Sequence, residues 1–230
     1  MSLSEASIYL RQRLKILVEN SISDSEFLIR GFRVTNPLLA DKLSEPNPPA
    51  EFLHAGGKSE AVNIISARSL GARMRGVQDR LVVIVDSDAK YPGHVDSVTN
   101  AVSQVCSAES VKFAILKKRA IENYASDRMI DDYVQASPEA KDAGIFVKSL
   151  TRVQRDHYPM KKSFSAGAVL TQQETALYSD VGDAAVVKNR LSNAMKHFLA
   201  NMTEFTRDDL ASRFAVDEFS ELADLIEEEL

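Results

Sequence analysis

Leucines recur near the start of the chain at Leu3, Leu10, Leu14 and Leu17, with Arg11, Arg13 and Lys15 between them. This spacing predicts an amphipathic helix over 3–20, one face of which serves a core or a partner. Pro46, Pro48 and Pro49 remove backbone donors and push the residues before them towards extended conformations, so a boundary is placed near residue 50. Beyond it the pattern changes. Phe52-Leu53-His54-Ala55 predicts a strand, Gly56-Gly57 a turn, Lys58 to Leu70 a helix, and Leu81-Val82-Val83-Ile84-Val85 a second strand. An unbroken, mostly β-branched run of this kind suits a strand covered on both faces, as in a parallel sheet. A helix from Val95 to Cys106 and a third strand over Val111–Leu116 complete a βαβαβ alternation. Further on, Arg128 to Ala136, Asp183 to Phe205 and Asp208 to Glu229 have helical patterns, and Ser137 to Thr171 follows none. The expected architecture is an α/β, Rossmann-like parallel sheet flanked by helices over 51–125. It is preceded by a helical extension over 1–50 and followed by an α-rich region over 126–230.

Composition narrows the class. With 44% hydrophobic and 27% charged residues the chain is of globular type. No apolar run reaches the roughly 20 residues of a membrane-spanning helix, and the N-terminus lacks the basic and apolar blocks of a secretory signal. A cytoplasmic protein without a membrane role is expected. Cys106 is the single cysteine, which agrees with a reducing compartment and with small apolar packing. The net charge of −5 argues against nucleic-acid binding over the whole surface. Local binding stays open, because acid is concentrated over 217–229 and the middle of the chain is basic at Arg68, Arg73, Arg75 and Arg80, at Lys117, Lys118 and Arg119, and at Arg152, Arg155, Lys161 and Lys162.

Asp86 and Asp88 follow the apolar run over 81–85, at the sheet edge where open α/β folds bind ligands. If the extended conformation persists past residue 85, the period of two puts both carboxylates on one side, where a hard cation bridges them. Glu60, in the first turn of the helix after the first predicted strand, is expected near the same edge. The alternative for Asp86 and Asp88 is a turn cap and a solvated loop; for Glu60 it is the ordinary preference for acid in a first helical turn. His54, His94, His157 and His197 show no metal-ligand spacing and are read as packing or surface residues.

The order Gly56-Gly57-Lys58-Ser59-Glu60, then a strand ending in Asp86-Ser87-Asp88, then Lys118-Arg119-Ala120-Ile121-Glu122-Asn123-Tyr124, resembles the Toprim domain of OLD-type nucleases. It is also similar to the Toprim proteins that accompany ABC-class ATPases in phage defence. The Arg-x-x-Glu-Asn-Tyr element after the third strand is the most specific part, and the likeness covers roughly 51–125. Met160-Lys161-Lys162 resembles the lysine element of OLD-type sites.

The resemblance implies a nuclease acting on DNA or RNA through one or two Mg²⁺ (or Mn²⁺) ions. Glu60, Asp86, Asp88 and Glu122 are the implied metal ligands, and Lys161 or Lys162 neutralises charge on the phosphate in the transition state. Lys58, Lys118, Arg119 and Arg155 are the implied nucleic-acid contacts. Nucleotide sensing would come from an ATPase partner, and the helical faces over 3–20 and 208–229 offer surfaces for it or for a homo-oligomer.

The family's leading glutamate, at the end of the strand before the Gly-Lys-Ser stretch, corresponds here to Gly56. That departure keeps open a catalytically degenerate Toprim-like binding or regulatory subunit. A P-loop NTPase is the other rival, but its first glycine falls at Phe52, whose side chain sits where backbone donors must wrap a phosphate.

Overall fold

The residues expected to continue an N-terminal helix instead form one of the two inner strands of a sheet. The computed structural model describes residues 7, 9, 11–160, 164, 169–181 and 203–230. In it, β1 is Leu14–Val18, α1 Ser23–Thr35, α2 Pro37–Ser44, β2 Ala50–His54, α3 Lys58–Arg75, β3 Leu81–Val85, α4 Ser97–Ala108 and β4 Lys112–Ile115. The four strands are all parallel, in the order β2-β1-β3-β4. The helix expectation over 3–20 fails at 14–18 because Leu14, Ile16, Leu17 and Val18 are all buried, which needs cover on both faces rather than one stripe. Lys15 escapes through a cross-strand ion pair with Glu51, its register partner on β2. The Lys15 ammonium, through its hydrogen bond, holds Glu51 below the usual carboxylate range against a smaller opposing effect of burial.

The strand and helix predictions over 50–116 hold with shifted ends, and α3 runs on to Arg75 before Gly76 closes it in the left-handed conformation. Leu17, Val83 and Val85 share one sheet face and pack with Ala61 and Ile65 of α3 and Val102 and Cys106 of α4. Burial pushes the Cys106 thiol up to about 12, so it is an inert apolar filler.

The chain divides into two units. The first comprises 1–86, 96–115 and 216–230; the second comprises 87–95 and 116–215. The boundary expected near residue 50 therefore falls at the first residue of a strand paired to β1. A further helix, Val216–Glu227, belongs to the first unit, where Phe219 meets Phe27 at 5.2 Å and Phe32 at 6.2 Å between ring centroids. Gly31 of α1 lets that ring approach: a Cβ there would stand 1.9 Å from Phe219 Cε1. The apolar face of 216–227, weighed above as a partner surface, is thus core, with Phe219, Leu222, Ala223 and Ile226 buried.

In the second unit a 3-10 turn over Ile121–Tyr124 leads to α5 Asp127–Ala136, a 3-10 turn over Pro138–Ala140, α6 Lys141–Ser149, α7 Arg152–His157, α8 Gln172–Leu177 and α9 Arg207–Ser212. The helix over 216–227 is α10. The single helix predicted over 208–229 is thus two, broken where Phe214 adopts φ +53°. The stretch 137–171 without a pattern contains α6 and α7, the latter opened by a capping box of Thr151 and Gln154. The helix predicted over 183–205 falls almost wholly on 182–202, outside the described residues. Among the described residues no helix is long and apolar enough to cross a membrane.

Candidate functional site

The carboxyl ends of β1 and β3 lie side by side, and each is followed at once by an acid, Glu19 after β1 and Asp86 after β3. Glu19 Oε1 accepts the Asp86 main-chain N–H at 3.3 Å. The buried Lys58, first residue of α3, reaches the same place, donating to the Asp86 carbonyl at 3.2 Å and to Thr99 Oγ1 at 2.9 Å. Its ammonium is 3.9 Å from the Glu19 carboxylate. Asp96 caps α4, accepting from the Val98 and Thr99 amides, each at 3.0 Å. Burial opposes ionisation of Asp96, but the Thr99 amide, the Lys58 ammonium and the Val98 amide together hold its carboxyl below the usual range.

The turn that delivers Lys58 depends on Gly56 and Gly57, at φ +75° and +121°, a region where a side chain is strained. The Gly56 N–H donates to the Glu19 carbonyl at 3.2 Å. Gly56 therefore sits beside Glu19, the residue that follows the neighbouring strand β1. Glu19 was missed because it lay inside the predicted helix. Its signal was the run Leu14-Lys15-Ile16-Leu17-Val18 ending in an acid, as the run over 81–85 ends in Asp86.

The other expected ligands are distributed differently. Glu60 is exposed in the first turn of α3 and accepts from Asn63 at 3.1 Å, as acid at a helix start commonly does. Asp88 does not continue the strand. At φ +49° it leaves the extended conformation, so the alternation expected to align it with Asp86 does not hold. It belongs to the second unit, where its N–H donates to the Arg119 carbonyl at 2.9 Å and Ser87 Oγ donates to the Lys118 carbonyl at 2.7 Å. Glu122, also in the second unit, is buried in the 3-10 turn. Among the described residues no group of three or more His, Cys, Asp or Glu side chains forms a metal-holding cluster. Lys161 and Lys162 lie outside the described residues.

The Arg-x-x-Glu-Asn-Tyr element holds the second unit together. Asn123, fully buried, donates to the Arg155 carbonyl at 2.6 Å and to the Tyr158 carbonyl at 2.8 Å, and accepts from the Ala120 amide at 3.1 Å. Tyr124 lies under the Lys118 ammonium, 5.1 Å from its ring centroid, and Lys118 also pairs with Asp156 at 3.2 Å. Arg119 donates to the His157 carbonyl at 3.1 Å, and Arg155 is buried against Asp127 and the Ala125 carbonyl. Of the basic positions in the first unit, Arg68 and Arg75 pair with Asp79, Arg73 pairs with Glu109, and Arg80 bonds the carbonyls of Gln12 and Leu230. Lys118, Arg119, Arg155, Arg68, Arg73, Arg75 and Arg80 thus each have a partner within their own unit. No protein-family model matches the chain, and no curated protein and no solved structure matches it.

Proposed function

We propose that the chain is a Toprim-type nuclease, dependent on Mg²⁺ or Mn²⁺, that cleaves phosphodiester bonds in DNA or RNA. The observation that carries this reading is the meeting of Glu19, the Asp86 main chain and Lys58 at the ends of two adjacent parallel strands. Ligands collect at that edge of an open α/β sheet. The donor chemistry fits the metal: Mg²⁺ takes oxygen ligands and is commonly held by one or two carboxylates, with water and substrate phosphate completing its shell. A cluster of three protein ligands is not required of it.

In this reading Glu19 and Asp86 hold the ion, with Glu60 as a further acid of the same unit. When bound, the ion lowers the pKa of a water and offsets charge developing on the phosphate. Lys58 fixes the end of β3 by holding the Asp86 carbonyl, and its ammonium stands 3.9 Å from the Glu19 carboxylate. Lys161 and Lys162 supply positive charge to the phosphate. A partner ATPase provides nucleotide sensing in a defence system.

A second reading, a non-catalytic Toprim-like module, is favoured by Lys58 itself. A buried ammonium 3.9 Å from Glu19 already supplies positive charge where a metal would. Incubating the purified chain with plasmid, single-stranded DNA and RNA in Mg²⁺ or Mn²⁺ decides between them. Cleavage that disappears in both Glu19→Gln and Asp86→Asn supports the nuclease. Cleavage that survives both sinks this assignment, and no cleavage on any substrate favours the module.

A further inference from the structure

The second unit contains a cleft of about 600 Å³ whose walls carry five cationic side chains, Arg128, Lys148, Arg152, Arg155 and Arg213, against three acids, Asp127, Asp208 and Asp209. Most of them have carboxylate partners: Arg128 binds Asp209, Lys148 binds Asp131, Arg155 binds Asp127 and Arg213 binds Asp156. Arg152 differs. Among the described residues it pairs with no carboxylate, and its guanidinium lies 4.2 Å from the ring centroid of Phe214. Phe214 is 69% exposed and is turned outward by its left-handed backbone at the break between α9 and α10. A large aromatic residue rarely adopts that conformation, and a strained position on a surface points to a use for the side chain. Deeper in the cleft, Arg155 and Arg213 are both buried. Burial and the neighbouring Arg155 charge lower Arg213 to about 10, with Asp156 and Asp127 opposing, so it stays charged at neutral pH. An anion entering the cleft would relieve that repulsion.

Guanidiniums beside an exposed ring are what an unpaired nucleotide requires: cations for the phosphate, and an aromatic face for a base. A duplex hides its base faces and cannot use Phe214. We propose that this cleft binds single-stranded nucleic acid, with a phosphate held by the Arg152 side of the cleft and a base stacked on Phe214. The proposal deepens the phosphodiester reading by naming an unpaired strand as its substrate class, and in that role rests on it.

The test is fluorescence anisotropy of a labelled oligothymidylate of about 12 nucleotides, within the usual site size of such surfaces. Working in EDTA keeps binding separate from metal-dependent cleavage, so either reading can fail alone. Phe214→Ala should weaken binding about tenfold and Phe214→Tyr should retain it. Arg152→Gln should weaken binding and make the salt slope shallower by about 0.7, the loss of one phosphate contact on a single strand. A duplex of matching length should bind at least about tenfold more weakly than the single strand. Wild-type affinity in both Phe214→Ala and Arg152→Gln overturns the proposal. So do equal binding of duplex, full competition by thymidine monophosphate at the oligonucleotide's own concentration, and no binding at all.

Discussion

The Glu19 carboxylate accepts the Asp86 amide at 3.3 Å, joining the ends of the two strands at the centre of the sheet. Asp86 is thereby placed by its main chain, through Glu19 on one side and Lys58 on the other. The acid and the base that shape this edge come from the ends of different elements, Glu19 after β1 and Lys58 at the start of α3.

Lys58→Met separates the two functional readings. Removing the ammonium leaves the Asp86 carbonyl and the Thr99 hydroxyl short of a donor, at an expected cost of about 1–3 kcal/mol in a urea titration. It also removes a positive charge that competes with a metal. Mg²⁺ should therefore raise the melting temperature of Lys58→Met more than that of the wild type. Equal Mg²⁺ responses in the two proteins count against a cation site beside Glu19.

Gly31→Ala should destabilise the first unit by about 1–3 kcal/mol, because the new methyl meets the fully buried Phe219 ring. Phe219→Leu, costly alone, should be less than additive with it. A double-mutant cycle by chemical denaturation checks this, and strict additivity would show that the two residues do not share a contact.

His157 makes stability depend on pH. Burial holds its folded pKa below the ordinary 6.5, with the hydrogen bond to the Ala89 carbonyl and the Asp156 charge opposing and Arg119 and Lys118 adding to the lowering. Between the folded value and 6.5 the unfolded chain binds more protons, so stability is complete above about pH 6.5 and declines as pH falls through the folded value. Urea midpoints from pH 8 downward should fall below about 6.5. His157→Asn, which keeps a donor for Ala89, should flatten that part of the curve.

Asp209 works in the opposite charge sense. Burial alone would raise its pKa, but Arg128, Ser126 and Thr206 donate to it and hold the carboxyl far below the usual range. Its contribution is present above the ordinary 3.8 and is lost as pH falls towards the depressed folded value. Asp209→Asn should cost about 1–3 kcal/mol at neutral pH. A neutral result in thermal and urea unfolding would mean that the Arg128 contact, 2.6 Å long, adds nothing to stability.

The sheet was legible in the sequence where burial left a continuous signature, as at Leu81–Val85. It was obscured at Leu14–Val18, where Lys15 interrupts the apolar run and leucines nearby mimic a helical stripe. Only the partner strand resolves that ambiguity, since Lys15 is accommodated by Glu51, far along the chain. The same ambiguity hid Glu19, just after β1. Asp86 does follow a strand, as the apolar run before it predicts, whereas the alignment expected of Asp88 fails on a backbone turn at φ +49° that composition does not encode. In the Arg-x-x-Glu-Asn-Tyr element, Asn123 and Tyr124 fasten their own surroundings, a role that the motif's residue types do not disclose.

The ring of Phe219 covers α1 from a position nearly two hundred residues away. A ribosome making this chain therefore finishes every piece of the inserted unit before it releases the piece that seals the first. Until then Phe27, Phe32 and the notch at Gly31 have no Phe219 ring over them, so the core of the first unit cannot close before the second has been synthesised.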